Sequence, residues 1–566
     1  MQEKQNVFKR IGIEPIDILI FLFVFAFLYG LIHASQGIQL EHKYNPTISL
    51  SPWALPYYAW LSVLRQVFAF GLSLLFAVTY GYVASHSKKA EVFMIPLLDI
   101  MQSIPLISFL PIFVLSLIRI FPVERIGIEI ACILLIFTSQ SWNMAFSVYG
   151  SMKAIPNDYN EAGSIFRFSK SFKFWFIELP NSVIGLVWNS MMSVAGGWFF
   201  LMASEMFVLG GRDFRLPGLG SYLMLAAIKG DTKAIFLGLF VIISIIVLVD
   251  QLIWRPLIAW SQRFKTELNE EENPPQSFLL TQLRRSRVLE YTNKWTDRML
   301  NRITKPRLDQ PISIDDSAKK KKSDWIWIVV FIAIGIFATY EFIRLLSGVH
   351  SGEWLKVLGF DLLTFLRVTL AVVLSCLWTV PVGITIGLNR KLSNKLQPLV
   401  QIFASVPATA IFPIILLTLI QLRGGLFIAS LLLMMLGTQW YILFNVIAGA
   451  QSISNDLKEV STIFHLSGWK KFRTLLLPAI MPSLVTGLIT ATGGAWNASI
   501  VSEYISFNEK VYVVPGIGSL ISSSANQGNF SLLAAGTFVM VVTVIIINRF
   551  VWRKMYWKSI EHIDTT

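Results

Sequence analysis

The sequence has few charged residues, and this scarcity argues against an ordinary soluble protein. Charged side chains make up 14% of the 566 residues, whereas 54% of the residues are hydrophobic. A typical soluble protein has roughly 25% charged residues, so this composition is typical of a chain embedded in lipid. It predicts an all-α membrane protein, because a helix satisfies its own backbone hydrogen bonds in the bilayer.

Cysteine and histidine are also scarce. The two cysteines, Cys132 and Cys376, both lie in apolar runs, and the six histidines are scattered along the chain. This pattern supports neither a disulfide framework nor a metal site. We therefore expect both thiols to pack in the core.

The chain lacks the nucleotide-binding loop GxxxxGK[ST], and it contains no Gly-Lys dipeptide at all. In that loop, backbone N–H groups and a lysine hold the phosphates of ATP. The grouped acids, nucleophiles and metal ligands of a catalytic site are missing as well. We therefore expect no enzymatic activity and no cofactor, so any energy from ATP must arrive through a separate subunit.

Apolar runs of roughly the twenty residues that a bilayer requires recur along the chain. The first six runs lie at about residues 16–32, 60–84, 92–118, 127–149, 181–206 and 234–259, and the second six at about 325–346, 361–388, 396–420, 424–449, 479–504 and 531–552. The first run lacks a small-residue cleavage site, so we interpret it as an uncleaved span. The predicted fold has about 12 transmembrane helices in two parallel six-helix repeats, 1–260 and 325–566, joined by a charged cytoplasmic linker at 261–324.

The two repeats are copies of one another. Two polar islands, residues 155–180 and 453–478, align without a gap at an offset of 298 residues. Identical residues at this offset include Asn157/Asn455, Asp158/Asp456, Glu161/Glu459, Ile165/Ile463, Phe166/Phe464 and Pro180/Pro478. Upstream the offset becomes 302, so four residues are missing from the second copy's loop between its third and fourth spans. The chain is therefore predicted to be an internal duplication.

Basic residues collect on one side of the predicted membrane. Counting spans, this side holds the N-terminal lead, both polar islands, the linker and the C-terminal end. The positive-inside rule makes that side cytoplasmic, and an even number of spans per repeat relates the halves by a pseudo-twofold axis along the membrane normal. The net charge of +14 is better explained by basic loops facing membrane lipid than by nucleic-acid binding.

Each polar island resembles the cytoplasmic signature of importer-type ABC transporter permeases, which runs Glu-Ala-Ala, three residues, Gly, nine residues, Ile, one residue, Leu-Pro. The matching positions are Glu161, Ala162, Gly163, Arg167 and Pro180 in the first copy, and Glu459, Val460, Ser461, His465 and Pro478 in the second. The stretches GGWFFLMASEMF (196–207) and GGAWNASIVSEY (493–504) resemble the nitrate, sulfonate, taurine and bicarbonate branch of that family. The duplicated chain is similar to its fused, single-chain members.

This resemblance implies a permease subunit in a bacterial or archaeal inner membrane. It implies that a short coupling helix in each island docks into one of two ATPase subunits, which are either identical or different. It also implies that an extracytoplasmic solute-binding protein delivers the cargo, a small anion. Because the signature glycine permits a tight bend, Arg167 and His465 at its position predict that this chain docks somewhat differently from the family, and its two halves need not be equivalent.

Several residues are candidates for the translocation path, each with an alternative explanation. The candidates are Gly196, Trp198, Gly494, Trp496, Asn497, Arg65 and Arg367. Small residues in a membrane helix usually serve close helix packing, and the two arginines could instead extend to lipid headgroups. Glu205 and Glu503 lie near the outer ends of the fifth spans. A carboxylate would repel an anionic cargo, so we favour a structural or gating role for both.

Other functions remain open at this point. Two parallel six-span repeats also describe ion-gradient transporters, but those lack a large island inside each half and need intramembrane acids for proton coupling. A fused ABC permease for ferric iron or thiamine is a further alternative. Glu161 and Glu459 could also serve only as helix-capping surface acids.

Overall fold

The computed structural model describes residues 46–264 and 336–555, apart from short gaps at 104, 122, 167, 210–211, 338, 420, 454, 508–509 and 553. The predicted first span at 16–32 lies outside the described residues. So do nearly all of the linker at 261–324 and about half of the predicted span at 325–346.

Helices dominate the described part of the first half. In chain order they are α1 (Leu55–His86), α2 (Lys88–Ser103), α3 (Leu110–Ile120), α4 (Glu124–Lys153), α5 (Asn157–Ile165), α6 (Lys170–Glu205), α7 (Leu219–Ile228) and α8 (Thr232–Ser261). A 3-10 turn, Leu106–Phe109, joins α2 to α3. A short antiparallel hairpin, β1 (Val208–Leu209) and β2 (Arg212–Asp213), follows α6.

The second half repeats this order. Its helices are α9 (Ser351–Leu388), α10 (Arg390–Ser405), α11 (Ala408–Leu419), α12 (Gly425–Gln451), α13 (Asn455–Ile463), α14 (Gly468–Glu503), α15 (Ile517–Gln527) and α16 (Phe530–Trp552). Its hairpin, β3 (Tyr504–Phe507) and β4 (Lys510–Val513), pairs Tyr504 with Val513. The bounds of α5 and α13 coincide at the offset of 298 residues, and those of α2 and α10 coincide at 302.

The all-α membrane fold is confirmed, whereas the count of 12 spans is not. Eight described helices are long and apolar enough to cross a membrane, namely α1, α4, α6, α8, α9, α12, α14 and α16. At each predicted third span the chain instead breaks, and α10 and α11 meet at an angle of 71°. Pro105 and Pro407 lie at these breaks. Proline lacks a backbone donor and disfavours helical backbone in the residue before it, so it ends the helix there.

Two elements were not predicted from the sequence. The hairpins and the short helices α7 and α15 lie between the fifth and sixth spans of each half. α7 is apolar but has 10 residues, about half of what a bilayer crossing requires. These segments therefore pack against the ends of the long helices rather than adding spans.

The halves share one apolar core. Within the first half α4 packs against α1 and α6, and within the second α12 packs against α9 and α14. Between the halves, α11 packs on α6 and α7, and the Leu106–Phe109 turn packs on α14. The largest buried cluster accordingly combines Leu135 and Tyr222 with Leu416 and Leu433. Cys132 belongs to this cluster, and Cys376 packs against another, so both thiols are core residues as predicted.

Helices α6 and α14 each contain a π-helical segment, Phe174–Glu178 in α6 and Phe472–Leu476 in α14. The regular α-helix resumes directly afterwards, with Pro180 or Pro478 in its first turn. A π-turn changes the backbone hydrogen-bond register. The proline lacks an N–H donor, but it lies in the first turn of the regular α-helix that follows, where that donor is not needed. Each fifth span is therefore continuous with the polar segment that precedes it.

Candidate coupling surface and transmembrane cavity

Both polar islands expose an acid and two apolar side chains on a short helix. Ile165 and Phe166, at the end of α5, are 75% and 67% exposed, and Ile463 and Phe464, at the end of α13, are 72% and 71% exposed. Glu161 and Glu459 are exposed on the same helices. We call each Glu, Ile and Phe set a coupling patch. Large exposed apolar side chains with polar neighbours are typical of protein interaction sites.

The signature residues close α5 and α13. The Phe168 N–H donates to the Gly163 carbonyl at 2.9 Å, and the Leu466 N–H donates to the Ser461 carbonyl at 2.9 Å. These bonds have the spacing of a Schellman motif, in which the residue before the donor adopts a left-handed conformation. His465 has that conformation, with φ of 48°. The signature glycine position is thus the helix cap that favours glycine; Arg167, its counterpart, lies outside the described residues.

Other signature positions have structural contacts of their own. The Phe166 N–H donates to the Ala162 carbonyl at 2.9 Å, and the Phe464 N–H donates to the Val460 carbonyl at 3.0 Å. Both bonds belong to the last helical turn. Ser461 is fully buried, so this face of α13 points away from the patch.

Beyond the coupling patches the two halves differ. In the first half, phenylalanine rings form a continuous ladder, with centroid distances of 5.8 Å from Phe166 to Phe168, 4.5 Å to Phe172 and 4.6 Å to Phe176. The corresponding positions of the second half hold Phe464, Leu466, Lys470 and Thr474. The ladder links the first coupling patch to the π-helical segment of α6. No such ring series connects α13 to α14 among the described residues.

A buried acid adds to this asymmetry. Glu178 lies in the π-helical segment of α6, is 3% exposed, and contacts His86 at 3.0 Å and Lys173 at 3.5 Å. In the second half, leucines occupy two of these positions: Leu476 corresponds to Glu178, and Leu388 corresponds to His86. The first half therefore ties the end of α1 to α6 by polar contacts that its copy lacks.

At the far end of α6, Arg65 and Glu205 form a buried ion pair with Nη1 to Oε1 at 2.7 Å. Arg65 also donates to both oxygens of Glu129, at 2.6 and 2.8 Å. Glu205 accepts from the Ser62 hydroxyl at 2.7 Å and from the Gly220 N–H at 2.8 Å. The carboxylate thus binds the first turn of α7, where free N–H groups favour an anion.

The second half repeats this arrangement with one partner missing. Arg367 pairs with Glu503, which accepts from the Thr364 hydroxyl and the Gly518 N–H, both at 2.8 Å. Phe427 occupies the position of the second carboxylate, and its ring centroid lies 5.3 Å from the guanidinium carbon. The buried Arg367 Nε has no hydrogen-bond partner among the described residues.

In each half the guanidinium also donates to a proline carbonyl in the loop before the short helix. The distance is 2.9 Å to Pro217 and 3.1 Å to Pro515. Glycine follows each proline, and a Cβ at Gly218 or Gly516 would overlap the buried carboxylate. These loops therefore need glycine for close approach, and the ion pairs hold the loops and short helices in place.

A partly open cavity of about 90 Å³ lies between the halves, with room for several water molecules, each of which needs roughly 10–15 Å³. Among the predicted path residues, Gly196, Gly494 and Asn497 line it. Its aromatic lining comes from α6 and α12, and consists of Phe199, Phe200, Trp440, Tyr441 and Phe444. None of its described lining residues is charged. The cavity is thus an apolar, aromatic space with a few polar groups.

The other predicted path residues do not line this cavity. Trp198 and Trp496 are 3% and 0% exposed and belong to the packed core. Arg65 and Arg367 are 3% and 5% exposed and point to their carboxylates, so neither extends to the surface. A role for these four residues in the path stays a prediction.

Asn497 connects the two halves beside the cavity. Its Oδ1 accepts from the Ile107 N–H at 3.3 Å, and its Nδ2 donates to the Gly493 carbonyl at 3.0 Å. At Gly196 an added Cβ would lie 3.0 Å from the Tyr441 hydroxyl, and at Gly494 it would lie 2.9 Å from the Gly437 carbonyl. Both glycines therefore keep the cavity wall open.

Reasoning from the sequence missed a group of buried polar side chains in the first half. Gln66, Gln140 and Ser193 are at most 5% exposed, and each has at least one polar atom without a partner among the described residues. Both amides press against Gly197, where a Cβ would overlap Gln140. The second half has Val368, Thr438, Ala491 and Ala495 at these four positions. This difference between the copies was the signal that could have revealed the group.

A family model described as "Binding-protein-dependent transport system inner membrane component" matches residues 69–253 and 379–552, more than half of the chain. Its double match confirms the duplication. The chain is 29% identical over 178 residues to a bicarbonate transport system permease protein of Synechococcus elongatus, a match that covers 31% of this chain and 61% of that protein.

Two further relatives are named for other substrates. A nitrate import permease protein of Leptolyngbya laminosa is 26% identical over 201 residues, covering 35% of this chain and 67% of the relative. A putative aliphatic sulfonates transport permease protein of Bacillus subtilis is 23% identical over 184 residues, covering 31% and 63%. The matches thus span about 60–67% of the length of these curated relatives.

Proposed function

Because the chain belongs to the family of inner membrane components of binding-protein-dependent transport systems, we propose that it forms the membrane path of an ATP-driven importer. The chain is a transport subunit rather than an enzyme, and two separate ATPase subunits supply the hydrolysis. The observation that carries this proposal is the pair of coupling patches, which in both halves present an exposed Glu together with Ile and Phe side chains of nearly equal exposure.

The continuous fifth spans give a physical route from the patches to the cavity. α6 and α14 are unbroken over 36 residues each. Each begins just after a coupling helix and carries cavity-lining residues further along, Gly196 in α6 and Gly494 in α14. When the ATPase subunits close on ATP, they displace α5 and α13. The long helices transmit this displacement, and one half rocks against the other to switch access to the cavity.

The cargo and the remaining partners follow from the relatives. These relatives are named for bicarbonate, nitrate and aliphatic sulfonates, so we expect a small anion here as well. An extracytoplasmic solute-binding protein delivers it, and the patches and both termini lie on the cytoplasmic side of the inner membrane. The arrangement of the buried ion pairs supports a structural role for Glu205 and Glu503 in holding the short helices near the opposite ends of the spans.

The first experiment measures ATP hydrolysis by this chain co-purified in lipid nanodiscs with the ATPase encoded beside it. We expect the double change Glu161→Ala and Glu459→Ala to abolish assembly or permease-dependent hydrolysis. The matched control is Lys89→Ala with Lys391→Ala, a pair of exposed charges at corresponding positions in α2 and α10. An ion-gradient transporter becomes the better explanation if no ATPase associates with the wild type, or if the patch variant transports normally.

A further inference from the structure

We propose that the cargo is an organic anion with a flat, apolar or aromatic body, rather than a bare inorganic anion such as nitrate or bicarbonate. This inference rests on the proposed function, because it takes the cavity between the halves as part of the path.

The cavity wall is complementary to such a body. Phe199 and Phe200 line it from the first half, and Trp440, Tyr441 and Phe444 line it from the second. Aromatic rings bury large apolar area and favour stacked or edge-to-face contact with another ring. The space of about 90 Å³ is smaller than the roughly 150 Å³ that holds a benzene ring, so such a cargo would enter as the halves rock apart and would then gain favourable contacts from both.

The same wall is unfavourable for a bare inorganic anion. None of the described lining residues is charged, so no cation there compensates for lost hydration. The two arginines among the predicted path residues, Arg65 and Arg367, are already paired with Glu205 and Glu503 and do not line the cavity. Moving an ion out of water without a counter-charge is costly. An organic anion offsets part of that cost by burying its apolar body.

Two neutral donors remain for the anionic group of the cargo. Gln401 and Tyr441 line the cavity, and their side chains have no hydrogen-bond partner among the described residues. An amide N–H and a phenolic O–H can both donate to a carboxylate or sulfonate oxygen. Asn497 contributes less, because its amide already bonds to Ile107 and Gly493.

The test measures binding of labelled probes to the full-length chain in nanodiscs. The probes are benzenesulfonate, methanesulfonate, nitrate and bicarbonate, with benzenesulfonamide as the neutral aromatic analogue. We expect benzenesulfonate to bind saturably and at least about tenfold more tightly than each of the others, a difference of about 1.4 kcal/mol.

Variants locate the site. Gly196→Ala places a methyl group 3.0 Å from the Tyr441 hydroxyl, whereas Gly493→Ala places one in open space. We expect the first change to weaken benzenesulfonate binding about tenfold and the second to leave it unchanged. Phe444→Leu retains an apolar side chain but removes a ring face, and it should weaken binding severalfold. Association with the ATPase serves as the folding control for each variant.

The outcomes separate this inference from the proposed function. If nitrate or bicarbonate binds as tightly as benzenesulfonate, or if no probe binds saturably, the cargo assignment is wrong while ATPase association still supports an importer. Equal effects of Gly196→Ala and Gly493→Ala on binding would also show that the cargo assignment is wrong. If no ATPase associates with the wild type, the proposed function fails whatever the probes do.

Discussion

His465 occupies the position where the importer signature has glycine, and its left-handed backbone, with φ of 48°, explains that preference. The left-handed conformation costs an L-residue about 1–2 kcal/mol. We expect His465→Gly to tighten ATPase binding by up to about fivefold, the equivalent of 1 kcal/mol, and His465→Val to weaken it. Titration of the ATPase onto nanodiscs measures both. Equal affinities for the two variants would show that this backbone conformation does not control docking.

The buried ion pairs lead to a second prediction at the residue scale. Removing one partner of a buried pair costs roughly 3–5 kcal/mol, because the other charge is left uncompensated. Arg65 keeps Glu129 when Glu205 is lost, but Arg367 has Phe427 at the corresponding position. We therefore expect Glu503→Gln to lower the midpoint of thermal unfolding more than Glu205→Gln does.

A rescue variant controls for nonspecific damage in that comparison. Phe427→Glu places in the second half the carboxylate that the first half has at Glu129. It should restore part of the stability that Glu503→Gln removes, because the Arg367 guanidinium regains a counter-charge. Equal losses in both halves, without rescue, would contradict the proposed difference between the two ion pairs.

At the scale of elements, Gly197 of α6 packs directly against side chains of α1 and α4. A Cβ there would lie 2.8 Å from the Gln66 amide nitrogen and would overlap Gln140. Overpacking of this kind typically costs about 1–3 kcal/mol, so Gly197→Ala should destabilise the protein. Adding Gln140→Thr and Gln66→Val should recover the loss, because the second half accommodates Ala495 with Thr438 and Val368. Thermal unfolding measures each step; no recovery in the triple variant would contradict this packing argument.

The long helices were predictable from the sequence because an apolar run of sufficient length has few other stable arrangements in lipid. The breaks at Pro105 and Pro407 were not predictable in this way, because an apolar run such as 396–420 indicates hydrophobicity but does not show where the chain changes direction. The helices α5 and α13 were expected from the resemblance of the polar islands to the importer signature. The aromatic side of the cavity was missed, because Trp440 and Phe444 lie in α12, and nothing in the sequence shows that this face meets Gly196.

At the scale of the whole molecule, the duplication has kept some features alike and changed others. The coupling patches and the carboxylates that bind the short helices are present twice. The phenylalanine ladder and the contacts of Glu178 occur in the first half and have no counterpart among the described residues of the second. The patches that we propose as ATPase contacts thus resemble each other more closely than the segments that connect each patch to its own helices.

This contrast predicts that two copies of one ATPase bind the chain. Phe166 and Phe464 are 67% and 71% exposed, and each follows an isoleucine of similar exposure. The same apolar cleft on the ATPase would therefore accept either phenylalanine. We expect Phe166→Ser and Phe464→Ser to weaken ATPase association to the same extent, within about twofold. Trp469→Ser, which removes an exposed ring in the second half outside its patch, is the control. Native mass spectrometry of the complex should give one permease chain with two identical ATPase chains, and a complex with two different ATPases would overturn the prediction.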